Sequence, residues 1–310
     1  MQTYILDIQK MSTEDGPGIR TTVFFKGCNL KCFWCHNPES IAFYRHIFWL
    51  EERCMGCQSC VKVCPKKAVS AEPEGMKIDE KICDFCNLCV EECPMNAIEI
   101  KGEEISVEEL VKELMKDKAY YDASGGGVTL SGGEAVLNWE YALPLLKELK
   151  QRGIHTAIDT AGCYPFPILQ KLLPYTDLVL YDLKHIDNML HNEFTGMENT
   201  LILQNAARLD KLKSPKVWVR TPIIPGATDT EENIRGLAQF IKNNMPNIEK
   251  WELVSFNNLS KQKYKLLGKE WQYNDAELIT KQKMQNLCNI AKSITNKAMW
   301  SGATKLEVKL

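Results

Sequence analysis

The sequence predicts an α/β protein built as an open, partial (β/α)6 barrel, broken near its start by a small cysteine-dense insert. Apolar strand-like runs alternate with amphipathic helical stretches over most of the 310 residues, the pattern of parallel βαβ units. Six such strands fall short of the eight that close a barrel. Between about residues 50 and 100 a four-cysteine pattern occurs twice and interrupts the alternation.

Taken in order, the expected strands are 21–25, 128–131, 155–159, 178–182, 217–221 and 251–255, each a short apolar run of strand length. The first, Thr21-Thr22-Val23-Phe24-Phe25, consists of β-branched and aromatic residues alone. Amphipathic helices are expected at 107–116, 141–152, 168–173, 199–212 and 231–244. The division that follows gives 1–48 and 101–310 to the barrel and 49–100 to the insert. Barrels of this kind bind ligands beyond the C-terminal ends of their strands, so polar residues there are site candidates.

With 45% hydrophobic and 25% charged residues, the chain has the composition of ordinary globular material. A net charge of −2 gives no electrostatic case for nucleic acid. No run of about 18 apolar residues occurs, and Met1-Gln2-Thr3-Tyr4 does not begin a signal peptide, so a cytoplasmic protein away from membranes is expected. In that reducing compartment 13 cysteines read as metal or cluster ligands. Eleven of them fall into three motifs, leaving Cys163 and Cys288 as small buried residues.

The first motif is CxxxCxxC, with Cys28, Cys32 and Cys35 in Gly27-Cys28-Asn29-Leu30-Lys31-Cys32-Phe33-Trp34-Cys35-His36. A cubane of four irons takes four ligands, so three thiolates leave one iron open to a substrate. The alternative is a zinc loop completed by His36, although a His directly after the last Cys points away from the first two. The other two motifs are copies of CxxCxxCxxxCP: Cys54, Cys57, Cys60, Cys64 with Pro65, and Cys83, Cys86, Cys89, Cys93 with Pro94. Two zinc sites are the alternative, but runs this compressed and closed by Pro suit cubanes better. The pair resembles the two-cluster bacterial ferredoxins, where the fourth Cys of each run crosses to the other cluster. That resemblance implies one cluster on Cys54, Cys57, Cys60 and Cys93, and another on Cys83, Cys86, Cys89 and Cys64.

CxxxCxxC with an aromatic before its last Cys resembles the radical S-adenosylmethionine superfamily. Asp15-Gly16-Pro17-Gly18-Ile19-Arg20-Thr21 and Cys35-His36-Asn37-Pro38-Glu39-Ser40 resemble the activating enzymes of glycyl radical enzymes more narrowly. The resemblance implies a partial TIM-type barrel, reductive cleavage of S-adenosylmethionine at the open iron, and hydrogen abstraction from a glycine Cα of a partner enzyme by the 5′-deoxyadenosyl radical. It implies three 4Fe-4S clusters in all, and a flavodoxin or ferredoxin as electron donor to a monomeric enzyme. Asp15, Gly16, Pro17 and Gly18 match the loop that meets the partner peptide. Trp34 matches the residue that packs on the adenine, against plain packing as the alternative.

Gly132, Gly133 and Glu134 follow the second strand; a glycine pair lets backbone approach a ligand, and the run resembles the family's contact to the cofactor ammonium. Asp159 with Thr160, and Asp182 with Lys184, end the third and fourth strands, where opposite charges suit a zwitterion, or else form surface ion pairs. By resemblance, Asp159, Thr160, Asp182 and the Leu180 carbonyl hold a monovalent cation. Arg220 closes the fifth strand and faces a carboxylate or ribose, unless it is structural. The family often has Pro-Tyr-His after the sixth strand; here it is Ser255-Phe256-Asn257, with Asn257 as the remaining hydrogen-bonding group toward the nucleoside.

Two other functions compete: a radical enzyme acting on a small molecule or another peptide, and a ferredoxin-type electron carrier. The framing motifs oppose the first, and the roughly 200 residues of βα pattern beyond the insert are unneeded for the second. Activating enzymes with such an insert serve dehydratases, decarboxylases, C–N or C–S lyases and alkylsuccinate-type synthases, so the resemblance points to a partner of that kind.

Overall fold

The computed structural model describes residues 2–212 and 214–305. The chain enters as β1 (Ile5–Ser12), turns through the Asp15–Gly18 loop and returns antiparallel as β2 (Arg20–Phe25). It then leaves the main sheet for the cysteine-rich insert. There β3 (His46–Trp49) and β6 (Ile98–Lys101) pair antiparallel as a neck, and enclose α1 (Ser59–Val63), the hairpin β4 (Val69–Glu72) and β5 (Gly75–Ile78), and α2 (Leu88–Glu91). Ile47, Val69, Ile98, Cys60 and Cys89 form a core of their own inside this insert.

The two cysteine repeats are alike in backbone as well as in spacing. Left-handed residues recur at the same offsets: Gly56 and Phe85, Gln58 and Asn87, Lys67 and Asn96. In each copy the sulfur of the fourth Cys accepts from the amide four residues on, Ala68 or Ala97, at 3.2 Å. The insert is tied to the body by Arg45, which lies over the rings of Tyr4 and Phe85.

After the neck come α3 (Val107–Leu114), α4 (Lys118–Ser124), β7 (Gly127–Gly132), α5 (Trp139–Gln151), β8 (His155–Thr160), α6 (Phe166–Leu172) and β9 (Leu178–Asp182). The chain continues through α7 (Asn188–Thr195), α8 (Thr200–Asp210), β10 (Lys216–Ile223), α9 (Glu231–Asn244), β11 (Lys250–Ser255), α10 (Lys261–Leu266), α11 (Lys281–Lys292) and β12 (Ala298–Ser301). Helix starts are set locally: Ser106 and Glu109 make a capping box on α3, and Thr230 and Thr280 cap α9 and α11.

One eight-stranded sheet runs β1-β2-β7-β8-β9-β10-β11-β12, with every pairing parallel except β1 with β2. The six expected strands are its centre, β2 and β7 through β11. The number of strands is a correction to the sequence reading: β1 and β12 form the two edges. Two register shifts in β1 break the period-2 alternation that reveals a strand, and β12 has only four residues. The five expected helices are α3, α5, α6, α8 and α9, each within a few residues of its expected ends.

Strand geometry sends successive side chains to opposite faces. One face carries Val23, Leu130, Ile158, Tyr181, Val219 and Trp251 into the main core beneath the helices. The other carries Thr22, Thr129, Asp159, Asp182 and Arg220, with Ala157, Leu178, Leu180 and Trp218 as a small apolar patch. No helix among the described residues is long and apolar enough to cross a membrane.

Candidate active site

A cavity of about 320 Å³ opens at the C-terminal ends of the strands. Cys28, Cys32, Cys35 and Trp34 border it from the loop after β2, Ser131, Gly132 and Gly133 from β7, Asp159 and Thr160 from β8, Asp182 and Lys184 from β9, Arg220 from β10, and Asp15 from the first loop.

The three-cysteine loop is held by backbone from several elements. The amides of Gly27 and Cys28 donate to Ser40 and Ile41, those of Lys31 and Phe33 donate to Thr195 and Phe194 at the end of α7, and the Glu134 amide donates to the Gly27 carbonyl. The Trp271 indole donates to the Phe33 carbonyl at 3.1 Å. Burial pushes the Cys35 thiol up to about 12 and Cys28 well above its ordinary range, with Glu134 adding to the Cys28 shift. Among the described residues no three His, Cys, Asp or Glu side chains converge on a single metal ion. His36 borders the cavity, but its Nε2 is buried without a hydrogen-bond partner among the described residues.

Opposite the cysteines lies a network of five charges. Arg220 pairs with Asp159, and reaches Asp182 at 3.5 Å and Asp15 at 3.9 Å, while Lys184 bonds Asp182 at 2.6 Å. Ser131 donates to Asp159 at 2.7 Å. Burial works to lower Lys184 and Arg220, but the facing aspartates outweigh it and raise both, so both stay cationic. Burial works to raise Asp182, and Lys184 with Arg220 outweigh it and hold its carboxyl low. Three carboxylates and two cations in one pocket can hold both ends of a zwitterion.

Asp15 is anchored where the sequence alone left it as one of four loop residues. Its carboxylate accepts from Ser12 and Thr22 at 2.7 Å, and its carbonyl accepts from Thr129 at 2.7 Å. Gly18 has φ +68°, and a Cβ there would lie 2.5 Å from the Gly126 amide, so this loop packs backbone to backbone on the turn that leads into β7. Gly16, Pro17 and Gly18 support Asp15 rather than border the cavity.

Three expected site residues turn their side chains to protein partners. Glu134 is 1% exposed and turns away from the cavity, its carboxylate accepting from Thr160 and the Ala161 amide. The turn after Gly133 brings its amide to Gly27 and sends its side chain toward β8. Thr160 borders the cavity, yet its hydroxyl is engaged by Glu134 and Tyr164. Leu180, expected to act through its carbonyl, packs its side chain with Ala157, Leu178 and Trp218. Asn257 lies outside the lining, its side-chain oxygen accepting from the Leu259 amide at 3.2 Å. Sequence reasoning missed Ser131, although it stands directly before the glycine pair, and missed Lys263, which bonds Glu39 at 2.9 Å and Asn37 at 2.6 Å beside the loop.

In the insert Cys54, Cys57, Cys60 and Cys93 line one small cavity of about 20 Å³. Cys64, Cys83, Cys86 and Cys89 line another of about 10 Å³. Each therefore takes three cysteines from one repeat and the fourth from the other. Cys57 and Cys86 are exposed, and Cys60 and Cys89 buried.

The family model described as Radical SAM superfamily matches residues 79–238, and that described as 4Fe-4S dicluster domain matches 53–98. The chain is 39% identical over 93% of its length to the trans-4-hydroxy-L-proline dehydratase activating enzyme of Clostridioides difficile, covering 95% of that protein. It is 39% identical to the choline trimethylamine-lyase activating enzyme of Oleidesulfovibrio alaskensis, over 87% of each chain. It is 34% identical to the indoleacetate decarboxylase activating enzyme of Tractidigestivibacter scatoligenes, over 94% of each. The structure of Streptococcus suis SuiB bound to precursor peptide SuiA shares the fold, with a TM-score of 0.52 over 89% of this chain and 46% of that one at 14% identity. This chain belongs to the radical S-adenosylmethionine superfamily, among the activating enzymes of glycyl radical enzymes.

Proposed function

We propose that Cys28, Cys32 and Cys35 hold a 4Fe-4S cluster whose fourth iron faces the cavity, and that S-adenosylmethionine seats between it and the charges at the strand ends. The carrying observation is that one cavity brings those three cysteines together with Asp159, Asp182, Lys184 and Arg220. Bound together and reduced, the cluster and S-adenosylmethionine supply a 5′-deoxyadenosyl radical able to take hydrogen from a peptide glycine Cα. The protein's own part is to orient and to exclude. Lys184 and Arg220 face the cofactor carboxylate and Asp159 and Asp182 its ammonium side, Gly132 and Gly133 present backbone, and Trp34, 5% exposed, walls off the adenine end. A monovalent cation beside Asp159 and Asp182 would draw on Thr160 and Leu180 through carbonyls, since the Thr160 hydroxyl is engaged.

The sheet works as a partial barrel, open enough at its mouth for a peptide, with Asp15 in the wall that the peptide approaches. The insert, 49–100, works as a ferredoxin-like unit with two closed clusters on the two four-cysteine sets. It relays electrons from a flavodoxin or ferredoxin to the open cluster, in a monomeric cytoplasmic enzyme. The partner is a glycyl radical dehydratase, decarboxylase, C–N or C–S lyase, or alkylsuccinate-type synthase; relatives named for a dehydratase, a lyase and a decarboxylase support that range. Reconstituted anaerobically, the enzyme should carry about twelve irons per chain. It should release 5′-deoxyadenosine together with a glycyl radical, seen by EPR, when mixed with a partner of one of these classes. Iron near eight with no S-adenosylmethionine cleavage would instead make it an electron carrier.

A further inference from the structure

Glu134 is a buried carboxylate outside the cavity lining, yet most of its hydrogen bonds go to the segment that follows Asp159. Its backbone amide donates to the Gly27 carbonyl at 2.8 Å, one residue before Cys28. Its carboxylate oxygens accept from the Thr160 hydroxyl at 2.8 and 2.9 Å, from the Ala161 amide at 2.9 Å and from the Val136 amide at 3.3 Å. Thr160 directly follows Asp159, which borders the cavity and pairs with Arg220. Just before Glu134, Gly133 packs so closely on the cluster loop that a Cβ there would lie 2.4 Å from the Gly27 oxygen. The turn thus grips the start of the three-cysteine loop with its backbone and the end of β8 with its side chain.

We infer that Glu134 is a positioning residue: it fixes the register between the Cys28 loop and the Asp159 end of β8, the two walls that must hold opposite ends of one bound molecule. The inference rests on the reading that S-adenosylmethionine occupies this cavity. A cofactor that chelates an iron on one wall and meets charged side chains on the other is sensitive to the distance between them. Covalent structure alone leaves that distance free, because Asp159 lies 131 positions after Cys28 along the chain. Glu134 spans the gap between them, its side chain meeting Thr160 and Ala161 and its backbone amide meeting Gly27. Shape also favours this role over direct contact: a carboxylate already accepting three donors has little left to offer an ammonium.

Glu134→Gln keeps volume and one acceptor oxygen but replaces the other by an amide that cannot accept from Ala161 or Thr160. Equilibrium binding of S-adenosylmethionine to the iron-loaded protein, with iron content and Tm measured on the same samples, is the test. The expected result is wild-type iron content, a fall in Tm of a few degrees and about a tenfold weaker Kd. Thr160→Val should weaken binding by a similar factor while leaving Glu134 in place, so it serves if Glu134→Gln fails to fold. The double variant should be no more than about twofold worse than either single one, since both remove the same contact. A Kd within twofold of wild type in a fully loaded variant would overturn the inference, as would additive losses in the double variant. If the wild-type protein itself fails to bind S-adenosylmethionine, the functional reading falls and takes this inference with it; if only the variants behave unexpectedly, the inference falls alone.

Discussion

In the insert each set of four cysteines closes around a cavity of about 20 Å³ or less, whereas Cys28, Cys32 and Cys35 border one of about 320 Å³ shared with five charged side chains. The four-cysteine sets also face outward, with Cys57 and Cys86 exposed, while the three-cysteine loop is backed by the turn after β7, the end of α7 and Trp271. One chain therefore arranges cysteines in two ways, four around a small cavity and three at the edge of a large charged one. A full ligand set near the surface suits electron exchange. An incomplete set inside a charged pocket suits binding and chemistry.

The largest expected effect comes from cutting ligands in one region and not in the other. Cys28→Ala should abolish S-adenosylmethionine cleavage with any reductant, by about a thousandfold or more, with iron falling from about twelve to about eight per chain. Cys57→Ala should lose a similar amount of iron yet keep cleavage within about threefold when a strong chemical reductant is used, while losing most of it with a protein donor. Equal losses with both donors would make the insert a structural unit.

Next in size is Arg220→Gln, which leaves Asp15, Asp159 and Asp182 facing one another in the pocket. A decrease in stability of about 3 kcal/mol and a Kd for S-adenosylmethionine weaker by about tenfold or more are expected, read by thermal unfolding and equilibrium binding. Among the described residues no comparable ion network borders the insert's cavities, where Lys66 and Asp84 stand 3.8 Å apart and about half exposed. Lys66→Ala should therefore change stability by less than about 0.5 kcal/mol.

The comparison can be sharpened with glycines. Gly133→Ala drives a Cβ to 2.4 Å from the Gly27 oxygen and should cost about 2 kcal/mol while weakening cofactor binding. Gly56→Ala, in the first repeat, meets nothing within 4 Å, although φ is +74°, and should cost about 1 kcal/mol without touching the open site. Both are readable by chemical denaturation.

The smallest effect concerns the support of the open loop. His191 on α7 hydrogen-bonds the Met197 carbonyl at 2.6 Å, and burial, despite that bond, pushes it down to about 4 from an ordinary 6.5. The unfolded chain thus takes up the proton first as pH falls. The stability held by neutral His191 is full above about 6.5 and is lost as pH drops toward 4, by up to about 3 kcal/mol. His191→Gln should flatten that part of the acid limb of the stability curve, measured by denaturant titration at several pH values.

What was legible in the sequence divides along the same line. Cysteine spacing is a one-dimensional signal, so the three motifs and the strands of the sheet's centre could be read directly. The bulged β1 and the short β12 could not, because an irregular or brief edge strand leaves no period-2 trace. At the site, backbone-borne positions such as Gly132 and charge-bearing strand ends such as Asp159, Asp182, Lys184 and Arg220 could be located, since strand order fixes which end they occupy. Side-chain direction could not. Glu134 and Thr160 each sit at an expected position and turn to a protein partner instead, because satisfying a buried carboxylate or hydroxyl takes precedence over exposure to the cavity, and Asn257 closes a local turn onto Leu259.

The central claim, one open cluster beside two closed ones, is tested most directly by adding S-adenosylmethionine to the fully loaded protein and following its iron centres by Mössbauer spectroscopy. The account predicts that about one iron in twelve changes its coordination environment, and that the change disappears in Cys28→Ala but persists in Cys57→Ala. A response that survives in Cys28→Ala, or is lost in Cys57→Ala despite intact Cys28, Cys32 and Cys35, would contradict it.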